Sequence, residues 1–136
     1  MLRPVAIRPA LLVAAACLAV GCGESGPTDE ERVRETLGEF QRATETRDYK
    51  ALCSHVLAPE LLESFDQVGL PCELALEKGF EDVDSPRLTV GAIDVKERTA
   101  TAQVRSSAEG EQPSEDTVEL VKVGEEWRIA SLGTQG

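Results

Sequence analysis

The segment RDYKALCSHVLAPELLESF, residues 47–65, decides the interpretation of the chain because it contains two helix starts in close succession. Asp48 is a residue type that caps helices, and the apolar residues after it predict a short helix over residues 49–55. Pro59 suits the first position of a helix and predicts a second short helix, whose apolar residues are Leu61, Leu62 and Phe65. The stretch therefore predicts two short helices rather than one long helix.

The residues before this segment contain the clearest predicted helix of the chain. In TDEERVRETLGEFQRATETRD, Thr28 and Glu31 have the spacing of a capping box, and the acids that follow Thr28 suit the positive end of a helix. Apolar and small side chains recur at helical spacing over about five turns. They predict one buried stripe, made of Val33, Leu37, Phe40, Ala43 and Thr44.

The residues after the segment continue first as helix and then as strands. Pro71 opens PCELALEKG, a predicted helix that Gly79 ends. From Pro86 the apolar residues alternate instead, and RLTVGAIDVKE, TATAQVRSS, TVELVKV and WRIASL predict four strands. Helices followed by an antiparallel sheet are the element order of an α+β domain.

Two details of the predicted sheet follow from its glycines. The alternation slips at Gly91 and Ala92, which predicts a β-bulge in the first strand. Residues 124–126, Gly-Glu-Glu, predict the turn of a final antiparallel hairpin. One face of the sheet is predicted to point inward, and its residues are Leu88, Val90, Ile93, Val95, Ala100, Ala102, Val104, Val118, Leu120, Trp127 and Ile129.

The N-terminal residues predict the cellular compartment of the protein. MLRPVAIRP carries Arg3 and Arg8 and no acid, and an apolar stretch too short to span a bilayer follows it. The end of that stretch, LAVGC, resembles the bacterial lipoprotein signal, in which a small residue precedes an acceptor cysteine. The resemblance implies transfer of diacylglycerol to the thiol of Cys22 and cleavage before it, so the protein is expected to be extracytoplasmic and anchored to the cell membrane by lipid.

Two alternatives to this anchor remain open. Cys17 is a rival acceptor, although its use would shorten the apolar stretch and leave residues 18–20 exposed on the mature chain. The other alternative is an ordinary secretory signal peptide, in which Cys22 has no role as a lipid acceptor. We predict residues 1–21 as the signal peptide, 22–27 as the lipidated cysteine and a short tether, and 28–133 as a single α+β domain.

The compartment restricts the chemistry of the cysteines. Cys17 leaves with the signal peptide and Cys22 takes the lipid, so Cys53 and Cys72 remain in the domain. Outside the cytoplasm an even pair of cysteines is most simply a disulfide. A redox or metal role and a pair of free thiols are the alternatives, although one histidine and two cysteines without a C-x-x-C spacing are a weak zinc signal.

His55, the only histidine, lies two positions after Cys53. Residues with this spacing point about 200° apart on a helix, so the pair is not predicted to act as a nucleophile with its base. We expect His55 to face solvent or to cap a helix.

Charge and composition exclude one class of function. The chain has 136 residues, 25 acidic and 14 basic, with a net charge of −11 and no basic stripe. Nucleic-acid binding requires clustered Lys and Arg, and is therefore not expected. A hydrophobic fraction of 41% is that of a folded globular chain.

Three features together resemble the nuclear transport factor two-like superfamily, whose members have a cystatin-like α+β cone. They are the long first helix, the segment 47–65, and the closing VKVGEEWRIASL, in which a glycine-bearing turn precedes Trp127 and Ile129. The likeness covers residues 28–132 and is closer still to small actinobacterial lipoproteins of this fold, which carry a cysteine in each of two short helices. It implies N-terminal helices packed on a curved, mainly antiparallel four-stranded sheet.

The resemblance also implies a pocket between the helices and the curved sheet. Enzymes of the superfamily, such as ketosteroid isomerase, place an acid or base and a hydrogen-bond donor there, in an apolar cavity. This chain departs from that pattern, because its predicted inward strand positions include no His and no Tyr. We predict no catalytic, cofactor-binding or metal-binding residue and no cofactor, and the possible pocket-lining residues are Tyr49, Leu88, Val90, Val104 and Trp127.

Acidic residues can still be nominated as bases. Asp66, Glu73, Asp94 and Glu97 are candidates, but a chain this acidic offers such residues by chance, and we interpret each as solvated. The fold alone does not assign an activity, because the superfamily contains enzymes as well as noncatalytic domains.

Three functions remain as hypotheses. The first is a noncatalytic accessory domain, held to the membrane through the lipid on Cys22, that binds an apolar small molecule or an envelope protein. The second is an isomerase-like or cyclase-like enzyme with a carboxylate in the cone. The third is a monomeric or homodimeric interaction subunit acting through the outer sheet face, although five polar residues argue against a large apolar interface there: Thr89, Thr101, Gln103, Thr117 and Glu119.

Overall fold

The first helix begins at the predicted capping box. The computed structural model describes residues 26–133, and α1 spans Asp29–Glu45. The hydroxyl of Thr28 accepts a hydrogen bond from the backbone N–H of Glu31, and the Glu31 carboxylate accepts one from the backbone N–H of Thr28 at 2.7 Å. The predicted start of the helix is therefore confirmed, together with its cap.

The buried stripe of α1 differs from the prediction at one position. Val33, Leu37, Ala43 and Thr44 are buried, whereas Phe40 is half-buried. Its ring lines a surface cleft, described below, so it is not fully enclosed by the core.

The second predicted helix consists of one α-helical turn followed by a π-helix. A single turn, α2 (Tyr49–Ala51), starts under the cap of Asp48, whose carboxylate accepts from the N–H of Ala51 at 3.0 Å. It continues as a π-helix over Leu52–Val56, closed by a bond from the N–H of Leu57 to the carbonyl of Leu52. The wider turn delivers the next two residues to the sheet, where Leu57 forms a bridge with Ile129 in the last strand.

Two further helices complete the helical side. α3 spans Pro59–Gln67 and has Pro59 at its first position, as predicted, while α4 spans Cys72–Gly79. α3 buries no residue completely and α4 buries only Leu76. Both helices therefore lie on the rim of the core.

One antiparallel sheet contains, in this order, the strands β1 (Arg87–Lys96), β2 (Thr99–Ser107), β3 (Ser114–Val123) and β4 (Glu126–Ser131). Each strand pairs with the next one in sequence, and β1 has the predicted bulge between Val90 and Ile93, while the pairing of β3 with β4 shifts between Glu119 and Leu120. The last hairpin turn is one residue shorter than predicted, because Glu126 already pairs with Val123 and Gly124 takes a positive φ of 63°.

The inward face of the sheet agrees with the predicted phase. Its residues on β2, β3 and β4 are buried, whereas those on the edge strand β1 are half-buried. The fold is the predicted α+β arrangement of N-terminal helices on a curved four-stranded sheet. The predictions for residues 1–21, and for Cys22 and the first part of the tether, lie outside the described residues.

Candidate functional site

The space between helices and sheet is filled by apolar side chains. Among residues 26–133, the one buried polar residue is Thr44, whose hydroxyl donates to the carbonyl of Phe40 at 2.7 Å. No Asp or Glu in this part of the chain is buried. Within residues 26–133 the interior therefore contains one hydrogen-bonded hydroxyl and no buried carboxylate.

A cleft opens at the end of the cone where α1 finishes. It consists of two adjoining hollows of 290 and 180 Å³, which share five lining residues. We call it the end cleft and define it by those residues, which are Thr44, Phe80, Val83, Pro86 and Arg87.

One wall of the end cleft is the α4–β1 loop, residues 80–86. Arg47, which has a positive φ of 55°, donates to the carbonyls of Phe80 and Val83 at 3.1 and 3.3 Å. The side-chain amide of Gln41 donates to the carbonyl of Pro86 at 2.9 Å. The backbone of the loop is therefore held by the side chains of Gln41, in α1, and Arg47, in the turn that follows α1.

The lining of the end cleft is mixed. Phe40 and Leu88 extend its apolar side, and Arg87 at its rim has no carboxylate partner within 4.0 Å among the described residues. Serine, glutamine and glutamate side chains line the side formed by β2, β3 and their connection, namely Ser106, Ser107, Glu111, Gln112 and Ser114. Such a cleft suits an apolar molecule that carries a few hydrogen-bonding groups.

A charged cluster closes the opposite end of the cone. The Asp29 carboxylate accepts from the indole N–H of Trp127 and from the Lys122 ammonium, both at 3.0 Å. These two bonds, that of Trp127 first, hold the pKa of Asp29 below its ordinary value of 3.8, and two bonds from Thr28 hold the pKa of Glu31 below 4.5. The cluster attaches the start of α1 to the β3–β4 hairpin.

Asp29 of this cluster and Glu31 of the capping box predict that the free energy of unfolding depends on pH. Because the pKa values of Asp29 and Glu31 are lower in the folded chain, their contribution is complete above pH 4.5 and is lost as the pH falls through the folded values. We expect the double variant Asp29→Asn/Glu31→Gln to lose less stability than the parent on acidification below pH 4.5. Urea unfolding at several pH values measures this.

The control for this experiment is Asp66→Asn, on the exposed surface of α3. It should keep the acid-dependent loss of the parent protein. Equal pH profiles for the parent and the double variant would contradict the assignment.

The chain was compared with known proteins at the levels of sequence and structure. The sequence matches no protein-family model and no curated protein. The fold is similar to a de novo designed NTF2 fold protein, NT-9, with a TM-score of 0.54 and 16% identity over 78% of this chain and 87% of that one. The chain has the NTF2-like fold.

Two natural proteins with this fold are also similar. An NTF2-like protein of unknown function from Shewanella baltica OS155 has a TM-score of 0.50 and 15% identity over 78% of this chain and 94% of its own. A Campylobacter jejuni protein, provisionally named an NTF2-like transpeptidase, has a TM-score of 0.50 and 12% identity over 76% and 99%. Identities this low establish the shared NTF2-like fold and nothing about activity.

The predicted disulfide is present in this NTF2-like domain. Cys53 of the π-helix is bonded to Cys72, the first residue of α4, with their Cα atoms 6.1 Å apart. His55 is exposed and lines a surface hollow beside Trp127, away from the end cleft. No group of three or more metal-ligating residues occurs within residues 26–133, and no helix in that range is long and apolar enough to cross a membrane.

The residues proposed to line a pocket lie in different places. Leu88 lines the end cleft, and Val104 is buried on the inner face of β2. Val90 is half-buried on β1, and its carbonyl accepts from Arg34 at 3.5 Å. Tyr49 lies outside the end cleft with its ring stacked on Phe80, while Trp127 is buried against the charged cluster.

Sequence reasoning missed the α4–β1 loop and its attachment. Phe80 and Pro86 of this loop and Arg87 at the start of β1 line the end cleft, and none of the three is among the predicted pocket-lining residues. The available signal was an aromatic residue followed by turn residues and proline. The candidate bases Asp66, Glu73, Asp94 and Glu97 are all exposed.

Proposed function

We propose that the protein is a lipid-anchored, extracytoplasmic accessory domain that binds an apolar small molecule at the end cleft without chemical conversion. The observation that carries this proposal is the lining of the cone, where apolar side chains surround a single buried hydroxyl and no Asp or Glu of residues 26–133 is buried. The Phe40, Phe80 and Leu88 side chains supply an apolar surface at the opening. The two carboxylates that line the end cleft, Glu45 and Glu111, are exposed, so the apolar part of the site holds no carboxylate.

The extracytoplasmic part of the proposal is supported by the cysteine chemistry. A disulfide is consistent with an oxidising compartment, and Cys53–Cys72 is such a bond. The apolar N-terminal stretch that ends at Gly21–Cys22 supports export and lipid attachment.

The anchor is tested by metabolic labelling in a bacterial host with tritiated palmitate. We expect the parent protein to incorporate label into the membrane fraction and Cys22→Ser to lose it completely, because the acceptor thiol is gone. Cys17→Ser is the matched control and should remain labelled. Labelling that survives in Cys22→Ser but disappears in Cys17→Ser would assign the anchor to the other cysteine.

Binding at the end cleft is tested by titration with a fluorescent apolar probe, anilinonaphthalene sulfonate. We expect Val83→Glu to weaken the apparent affinity at least about tenfold, because it places a carboxylate in the apolar wall. Val68→Glu introduces the same charge at a position that is 71% exposed and outside the end cleft, and should bind like the parent.

The proposed site would be contradicted if both substitutions weakened the affinity for the probe equally, or if neither substitution weakened it. Circular dichroism of both variants verifies that each is folded. Turnover of a ketone, epoxide or ester substrate that is abolished by one acid substitution would instead support the enzyme hypothesis.

A further inference from the structure

Arg47, in the turn after α1, has a positive φ of 55°, a backbone conformation that glycine adopts with less strain. The N–H of Arg47 donates to the carbonyl of Thr44 at 3.2 Å. The next N–H, that of Asp48, donates to the carbonyl of Ala43 at 2.8 Å. These two bonds form the Schellman ending of a helix, in which the residue at the position of Arg47 is usually glycine. A side chain there strains the backbone, so its own contacts are expected to compensate.

Backbone strain of this kind occurs twice at the end cleft. Among residues 26–133, three non-glycine residues have a positive φ, namely Arg47, Ser85 and Glu97. Arg47 and Ser85 both line the larger hollow of the end cleft, whereas Glu97 lies in the turn between β1 and β2. Strained conformations persist where the surrounding structure holds them, and they are frequent at binding sites. The backbone of Arg47 and Ser85 therefore indicates a role in the cleft.

The side chain of Arg47 holds one part of the cleft wall. Its guanidinium donates to the carbonyls of Phe80 and Val83 at 3.1 and 3.3 Å. It also donates to the hydroxyl of Tyr49 at 3.3 Å, and the Tyr49 ring is stacked on that of Phe80 with the centroids 6.3 Å apart. Phe80 and Val83 are half-buried lining residues of the end cleft. One side chain therefore sets the position of two apolar residues of the wall.

The second half of the α4–β1 loop has attachments of its own. The carbonyl of Asp84 accepts from the N–H of Glu109 at 2.8 Å. The carbonyl of Pro86 accepts from the side-chain amide of Gln41 at 2.9 Å. The first half, residues 80–83, has instead the guanidinium bonds and the aromatic stacking described above. Loss of the guanidinium is therefore expected to loosen the first half of the loop and to leave the second half attached.

We propose that Arg47 is a positioning residue of the end cleft, and that its guanidinium holds the wall in the form that receives the ligand. This inference rests on the binding function proposed above. Arginine at this position strains the helix ending and stabilises the wall, whereas glycine would relax the helix ending and leave the wall without its bonds. The substitution Arg47→Gly therefore separates the stability of the domain from its affinity for a ligand.

The test measures unfolding and probe binding in the same variants. The background is the full-length chain with Cys22→Ser, in which no attached lipid competes for the probe. The probe is the uncharged dye phenylnaphthylamine, so that loss of a positive charge does not itself alter the affinity.

We expect Arg47→Gly to unfold within about 4 °C of the parent midpoint, because the relaxed helix ending offsets the lost hydrogen bonds. Its apparent affinity for the probe should fall about fivefold or more, because binding must then order the wall. Arg47→Asn also suits a positive φ and lacks the reach of the guanidinium, so it should bind as weakly. Amide hydrogen exchange of Arg47→Gly should increase in residues 80–83 and remain at the parent level in α1.

The matched control is Glu97→Gly, which makes the same backbone change in the β1–β2 turn and should bind like the parent. The positioning role is overturned if Arg47→Gly loses thermal stability and affinity together, or if it binds like the parent while Val83→Glu binds weakly. Equal binding by the parent and Val83→Glu would overturn the proposed binding function, and the positioning role with it.

Discussion

Replacing Leu37 with alanine should lower the free energy of unfolding by about 3 to 4 kcal/mol, the largest effect that we expect from a single core substitution. Leu37 has no exposed surface, and the helix that carries it packs against β1, β4 and the π-helix. Truncation removes buried methyl and methylene groups and leaves a cavity that these elements cannot close by moving together. For a domain of this size the loss is a large part of its net stability.

Urea denaturation followed by circular dichroism measures this change. The matched control is Leu74→Ala on α4, where the side chain is 40% exposed, and it should cost less than about 1 kcal/mol. Equal losses of unfolding free energy for the two variants would contradict a central position of Leu37 in the core.

Removing the disulfide with Cys53→Ser/Cys72→Ser should lower the free energy of unfolding by about 3 kcal/mol, because the bridge restricts the unfolded chain over a separation of 19 residues. The loss should appear first in α4. That helix buries only Leu76 and is joined to its surroundings by the bridge at one end and the Arg47 bond to Phe80 at the other. Without the bridge, the wall of the end cleft has less support.

Two measurements check this expectation. Chemical denaturation should give the same midpoint for the double variant and for the parent protein kept in a thiol reductant, and amide hydrogen exchange should increase in α4 before it increases in α1. The expectation is wrong if the double variant unfolds within about 0.5 kcal/mol of the oxidised parent, a difference typical of a neutral surface substitution.

Local chemistry made much of the fold predictable. The capping box at Thr28, the proline at position 59 and the slip at Gly91 each act within a few residues, and each was found at its predicted position. Alternation identified the inward face of the sheet, because a strand turns successive side chains to opposite sides. The partner of Cys53 followed from the predicted compartment and from the small number of cysteines.

The end cleft could not be predicted in the same way. Its wall depends on Gln41 and Arg47 holding the carbonyls of a loop that follows 33 to 45 positions later in the chain. The π-helix likewise depends on distant pairing, since the chain widens its turn where Leu57 meets Ile129. Neither Gln41 nor Arg47 has a local sequence signature for such a bond.

The sequence by itself determined the order of elements, the starts of the helices, the phase of the sheet and the cysteine pair, because these depend on neighbours along the chain. Only the tertiary structure decided that Asp29 is bonded to Trp127, 98 positions away, and that an open cleft lies at the other end of α1. Contacts of that kind arise when separately formed elements pack. The separation between the start of α1 and the end cleft is therefore a property of the packed domain.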